Sequence, residues 1–185
     1  MQEKANIMNG FQCEFRNQGI VLFAFIALLC PQVASANPTV KQYLEVAGLQ
    51  AKLVPHGKLR IAGRSMNCGR RPTVYDPDFI DYGGAYPGFI ILNPRMIKRL
   101  PIAVQRYVFA HECGHQFRGG DEAAADCFAV KRGRRQGWLS AKGLDRICHF
   151  MMPHVGDSMH PPGPKRCSNM RFCYKNAIKY GVNSR

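Results

Sequence analysis

Crossing a bilayer as a helix takes roughly 20 apolar residues, and the longest apolar run of this 185-residue chain, Ile20 to Cys30, falls well short. A membrane-spanning protein is therefore not expected. No two cysteines stand in a C-x-x-C pair, which argues against a cysteine-ligated metal site. There is no internal repeat, no coiled-coil heptad pattern and no low-complexity tract. Acidic residues are scarce: 12 Asp and Glu face 26 Lys and Arg, giving a net charge of +14. Such a surface favours anionic partners such as phospholipid headgroups, cell-wall polymers, acidic proteins or nucleic acid. No nucleic-acid-binding module accompanies the charge, so specific recognition of nucleic acid is not expected.

The short apolar run has a different reading. A weakly charged lead containing Arg16, an apolar segment of about a dozen residues and the small residues Ala34-Ser35-Ala36 at A-x-A spacing describe a secretory signal peptide. Residues 1–36 would be removed and the mature chain would start near Asn37, with Met8 an alternative start of the lead. Lipidation at Cys30 is disfavoured because Leu29 before it is bulky. Export to the periplasm or the medium follows. The mature chain keeps the whole net charge, since Glu3 and Glu14 balance Lys4 and Arg16 in the lead.

Loss of Cys13 and Cys30 leaves Cys68, Cys113, Cys127, Cys148, Cys167 and Cys173, an even set in an exported chain that reads as a disulfide framework. Cys167 and Cys173 share an expected helix about 9 Å apart in rise, too far to pair with each other. The other pairings stay open.

Residues 37–185 suit one domain. Pro38 to Leu53 carries Val40, Tyr43, Leu44 and Ala47 at helical spacing. Extended segments are expected at Lys58 to Ala62, Pro72 to Tyr75 and Gly88 to Leu92, with a turn-rich connection from Asp76 to Pro87. The aspartates of that connection do not match the spacing of a calcium loop, so it reads as solvated. A helical turn follows Asn93-Pro94, and a longer helix runs from Pro101 through His115 and Gln116 until Gly119-Gly120 stops it. Asp121 caps a helix from Glu122 to about Arg132, Ser140 caps one to about Met152, and a last helix spans Lys165 to Tyr180. The fold class is α+β, a small twisted sheet followed by helices.

Within the long helix stands His111-Glu112-Cys113-Gly114-His115. Two histidines four residues apart share one helical face and can hold one metal ion, with the glutamate beside the first able to reach a water on it. Cys113 lies roughly 200° round the helix from that face. A catalytic zinc site needs a third protein ligand and an open position for water. Glu122 is assigned to the metal, and Asp126, one turn on, to a hydrogen bond with the ring nitrogen of His111 that does not bind it. The intervening alanines Ala123 to Ala125 allow close packing on the first helix. The bland alternative is that both carboxylates merely favour a helix N-terminus.

With H-E-x-x-H followed by Glu122-Ala-Ala-Ala125-Asp126, the chain resembles the gluzincin metallopeptidases, in particular the prenyl-protease-like and heat-shock-type branch. That branch also carries a T/S-x-H-P segment with a following arginine, matched by Ser158-Met159-His160-Pro161 and Arg166. The resemblance covers roughly residues 88 to 170. It implies a zincin-like fold, a Zn2+ ion on His111, His115 and Glu122, catalysis by Glu112, and His160 and Arg166 lining the site in support of the substrate carbonyl, the oxyanion or the zinc-binding glutamate. It also implies that a peptide adds to the sheet edge before the metal helix, for which Gly88 to Asn93 is the expected strand. Two departures stand out: only six residues separate His115 from Glu122, and the transmembrane helices of many members are absent, which suggests a minimal soluble form. The short separation admits a metzincin-type rival with Asp121 as third ligand and Met151 or Met152 beneath the metal. Arg118 occupies the position where that arrangement needs glycine, which ranks Asp121 lower.

The leading functional expectation is an exported zinc metallopeptidase acting on a peptide or protein. The alternative is a basic protein that binds an anionic envelope surface and whose zinc site is structural or inactive. Hydrolysis of cell-wall peptide or amide bonds would use the same chemistry. The run Lys131-Arg132-Gly133-Arg134-Arg135 reads as a solvated helix end, and His56, His149 and His154 as surface or packing residues.

Overall fold

The computed structural model describes residues 37–177; the expected leader, residues 1–36, and the end expected for the last helix at Tyr180 lie outside them. Thr39 opens α1 (Val40–Val46) with a capping box to Gln42. The helix is shorter than its sequence period implies: it ends where Gly48 takes φ +89°, and Lys52 and Leu53, expected within it, belong to strand β1 (Lys52–Val54) instead. Then come β2 (Arg60–Ile61), β3 (Arg64–Ser65), β4 (Thr73–Tyr75), β5 (Gly83–Tyr86) and β6 (Phe89–Leu92). Strands β2 and β3 form a separate hairpin. The other four make a mixed sheet in the order β1-β4-β6-β5, with β4 and β6 parallel and the outer pairs antiparallel.

The sheet is covered on both faces, as the uninterrupted apolar run of β6 requires. Ile90 and Leu92 point into the main core with the helices, while Phe89 and Ile91 join Val74 under Val40, Tyr43 and Leu44 of α1. Strand β5 lies inside what the sequence marks as a turn-rich connection. Its Gly83-Gly84 pair has no strand propensity, yet the glycines are what let it lie there: a Cβ on Gly83 would stand 3.1 Å from both Glu112 Cγ and Val108 Cγ1. The aspartates before it do not converge. Asp76 is buried and accepts from the Tyr43 hydroxyl at 2.7 Å, and Asp78 pairs with Arg95 at 3.1 Å.

Helices α2 (Pro94–Ile97), α3 (Ile102–Arg118), α4 (Glu122–Arg135), α5 (Ala141–Met151) and α6 (Gly163–Lys175) complete the α+β fold. Asn93, Asp121 and Ser140 cap α2, α4 and α5 through their side chains. Three disulfides join Cys68 to Cys113, Cys127 to Cys173 and Cys148 to Cys167, with Cα separations of 5.5, 5.2 and 5.1 Å. Both cysteines of α6 thus pair away from their own helix. No helix of the described residues is long and apolar enough to cross a membrane.

Helices α3 and α4 cross with almost nothing between them. A Cβ on Gly114 would come within 2.9 Å of Ala125 Cα and 3.0 Å of its carbonyl oxygen, backbone that cannot step aside. Gly114→Ala is therefore expected to force the helices apart and destabilise the domain by about 1–3 kcal/mol, read as a lower urea midpoint at unchanged slope.

Candidate metal centre

One stripe of α3 carries the buried Val104, Tyr107, Val108 and His111 and the partly buried His115. His111 Nε2 and His115 Nε2 lie 3.0 Å apart. The crossing with α4 brings Glu122, its first residue, over them: Oε2 is 3.3 Å from His111 Nε2 and Oε1 is 3.2 Å from His115 Nε2. Among the described residues this is the one group of histidine, cysteine or acidic side chains that converges closely enough to hold a metal ion.

The other ring nitrogens are spoken for. His115 Nδ1 donates to the Gly119 carbonyl at 2.7 Å, and a carbonyl can only accept. Gly119 takes φ +60° and ψ −147°, open only to glycine, which turns that carbonyl to the ring. His111 Nδ1 lies 2.9 Å from Asp126 Oδ1. With both Nδ1 atoms donating, a neutral pair would aim two Nε2 lone pairs and a carboxylate at one point, a repulsive set unless a cation sits there. Four-coordinate ligation with bonds of roughly 2.0–2.1 Å puts ligand atoms about 3.3 Å apart, close to the separations found. Glu122 Oε2 is buried without a well-formed hydrogen bond, its cationic neighbours being His111 Nε2 and Arg166 Nη2, each at 3.3 Å.

Behind the three donors, Asp126 is fully buried and Arg166 grips it with Nε to Oδ2 at 2.8 Å and Nη2 to Oδ1 at 2.7 Å. The same Nη2 lies 3.3 Å from Glu122 Oε2. Tyr107 donates its hydroxyl to Asp126 Oδ1 and receives Arg166 at 3.2 Å. Arg166 thus supports the carboxylates from behind. Burial opposes charge on Asp126 and Glu122, but hydrogen bonds from Arg166 and His111 to the first, and from His111 and His115 to the second, hold both below the usual carboxylate range. His160 is half exposed on the open side, with Nε2 3.7 Å from Glu122 Oε1. Asp157 orients it, accepting from the His160 and Met159 backbone N–H groups at 2.7 Å and from the ring at 3.1 Å.

Two hollows, about 500 and about 1140 Å³, meet at Asp81, Gly83, His111, Glu112 and His160 and form one groove across the centre. Burial raises the Glu112 carboxyl above its ordinary pKa against the pull of His111 and His115. Strand β5 walls the groove. The edge expected from Gly88 to Asn93 is corrected here: β6 is hydrogen-bonded on both sides, and β5, invisible to strand propensity, is the edge.

The sequence reading brought forward His111, Glu112, His115, Glu122, Asp126, His160 and Arg166, and the fold gathers all seven. Asp121 stands apart as the cap of α4, its Oδ1 accepting from Ala124 N at 2.9 Å. Met151 is buried in the wall of the smaller hollow and Met152 is half exposed. His154, read as a surface or packing residue, also lines that hollow. Tyr107 and Asp157 were missed. The first sits one turn before His111, a signal available in the sequence; the second acts through a local turn that no motif marks. No family model, no curated protein and no solved structure matches the chain.

Glu122→Ala should abolish stoichiometric binding of a divalent ion, whereas Asp121→Ala should keep the ion and lose about 1 kcal/mol of stability with the cap; metal analysis and urea unfolding read both. In the metal-free chain, burial disfavours the charged His111, but hydrogen bonds to Asp126 and Glu122 outweigh it and lift its pKa to about 9. An ion must displace that proton, so about one proton should be released per ion bound at pH 7, with affinity rising up to roughly tenfold per pH unit until about pH 9. Calorimetry in buffers of different ionisation enthalpy measures it.

Proposed function

We propose that the chain is an exported zinc metallopeptidase of gluzincin type on a zincin-like fold. The observation that carries this reading is the convergence of two oriented imidazoles and one carboxylate, 3.0 to 3.3 Å apart, at the floor of an open groove. Two nitrogen donors and one oxygen donor with an accessible side suit zinc in a hydrolytic role. When bound, zinc supplies a Lewis acid that polarises a carbonyl and lowers the pKa of water towards neutrality.

The chain's own groups supply the rest. Glu112 faces both hollows beside His111, and burial, by raising its carboxyl above the ordinary pKa, suits it to take a proton and return it. It removes a proton from the attacking water as the oxygen bonds to the carbonyl carbon, and returns it to the amine nitrogen as the C–N bond breaks. His160, held by Asp157 at the rim, donates a hydrogen bond to the charge developing on the carbonyl oxygen. Asp126, Tyr107 and Arg166 act as positioning residues that fix the His111 ring and Glu122. The free edge of β5 offers backbone groups to an extended peptide.

Export is supported by the three disulfides, which persist in oxidising compartments. The rival, a basic envelope-binding protein with a structural zinc site, needs a fourth protein donor, and His160 is the side chain that would have to supply it.

Glu112→Gln is expected to keep one zinc per chain and to lower peptide hydrolysis by about 10²–10⁴-fold. Undiminished turnover by that variant, measured on an unfolded protein substrate, would rule out the mechanism. His160→Ala separates the two readings: zinc retained with a slower rate supports the enzyme, and zinc lost supports the closed structural site.

A further inference from the structure

Away from the metal centre, five arginines form a continuous line with no carboxylate paired to them among the described residues. The line starts in the larger hollow, where Arg71 lies 4.6 Å over the Phe117 ring. Phe117 stacks on Phe128 at 5.5 Å, and Arg132 stands 5.9 Å from the Phe128 ring. From Arg132, Nε reaches the Gln136 side chain at 3.4 Å, and the Gln136 backbone carbonyl receives Arg64 Nη2 at 2.8 Å. Arg64 and Arg60 are both on the β2–β3 hairpin, at whose turn Arg106 Nη2 donates to the Ala62 carbonyl at 3.0 Å. Partial burial and the charge of Arg64 both hold the Arg106 guanidinium below its ordinary pKa, as expected of cations crowded without a counter-charge. Among the described residues the ion pairs of arginine lie elsewhere, at Arg95, Arg166 and Arg171.

We propose that this line is an exosite for an acidic stretch of a polypeptide substrate whose scissile bond lies at the metal centre. It rests on the reading of the groove as a peptide site. Two features select that occupant. Arg64, Arg60 and Arg106 each anchor part of the guanidinium on a backbone carbonyl, leaving the remaining N–H groups free in a fixed orientation, so little side-chain freedom is lost when a carboxylate binds the fork. The line opens into the groove, so one chain can occupy both.

The test uses the full chain carrying Glu112→Gln, so that nothing is cut, and a fluorescein-labelled decaglutamate peptide as probe. Binding should weaken with salt, and the double variant Arg60→Gln/Arg64→Gln, both positions being exposed, should weaken it about tenfold with little change in the urea midpoint. With Glu112 restored, a peptide bearing an acidic tail should show a lower KM than one with a neutral tail at equal kcat, and the double variant should erase the difference. Equal decaglutamate binding by the double variant overturns the proposal. So does tighter binding of a thymidine oligonucleotide, or of phosphatidylserine vesicles, that is lost with the same two arginines. Arginine-dependent binding of decaglutamate without hydrolysis of any peptide would keep the acidic-polypeptide surface and remove the peptidase reading alone.

Discussion

The candidate metal centre depends on how near two helix backbones come. Helices separated by ordinary core side chains pack 8–10 Å apart, axis to axis, and a glutamate at the start of one then has to stretch to reach histidines in the middle of the other. Gly114, between Cys113 and His115, removes the side chain at the crossing, and Ala125 presents only a methyl group to it. The requirement runs in both directions. Histidines at helical spacing choose which face of α3 is the site, but glycine in the same motif chooses how close the third donor stands. The pair Gly119-Gly120 then ends α3 and reverses the chain in time for Asp121 to cap α4, so that Glu122 falls in the first turn.

Closeness alone would be unfavourable, because it buries three carboxylates, two imidazoles and a guanidinium together. The arrangement is tolerable since each inner group has a specific partner. Asp126, with no exposed surface, receives Tyr107, Arg166 and His111, and removing one member of such a set leaves an uncompensated charge at about 3–5 kcal/mol. The consequence is directional. The contacts to Gly119, Asp126, Tyr107 and Arg166 lie on the inner side, on the Nδ1 atoms and behind the carboxylates, while the two Nε2 atoms and the Glu122 carboxylate, 3.0 to 3.3 Å from one another, converge on a single point. A shell that fixes its donors from behind is prepared to take a cation from the front without rearranging.

How much of this is legible in the amino-acid sequence varies with the range of the interaction that decides it. Helix starts at Asn93, Asp121 and Ser140 are set by side chains within three residues, and they are readable for that reason. The gathering of His111, His115 and Glu122 is readable because one short helix–turn–helix holds all three. Strand β5 is not, since Gly83 and Gly84 look like a turn and are strand only because α3 and Phe79 press against them. The error about which strand forms the sheet edge followed directly, for without β5 the outermost strand beside the metal helix is β6. The reading of Lys131 to Arg135 as a solvated helix end missed that Arg132 reaches the Asn67 carbonyl and Arg134 the Tyr174 carbonyl, contacts with residues 65 and 40 positions away. Disulfide pairing was undetermined for the same reason, because only the tertiary packing chooses among the pairings.

The disulfides answer a question that the small sheet raises. Strands of two to four residues hold a position poorly, and yet ligand geometry tolerates errors of only about half an ångström. Each cross-link bears on an element that carries part of the centre: Cys113 lies between the two histidines, Cys127 follows Asp126, and Cys167 follows Arg166. Their partners lie before β4 and on α6 and α5, so α3, α4 and α6 are each tied from the side away from the groove. Closing loops of 45, 46 and 19 residues stabilises the fold by roughly 3–4 kcal/mol each in the chain-entropy account. Those bonds do for the helices what a larger sheet would do in a bigger domain; Cys148–Cys167 also closes the loop that carries Asp157 and His160, and only β5 is left without a cross-link beside it. The elements that carry His111, His115, Glu122 and Arg166 are covalently braced, whereas β5, on the other wall of the groove, is held by its ladder to β6 and by packing against α3.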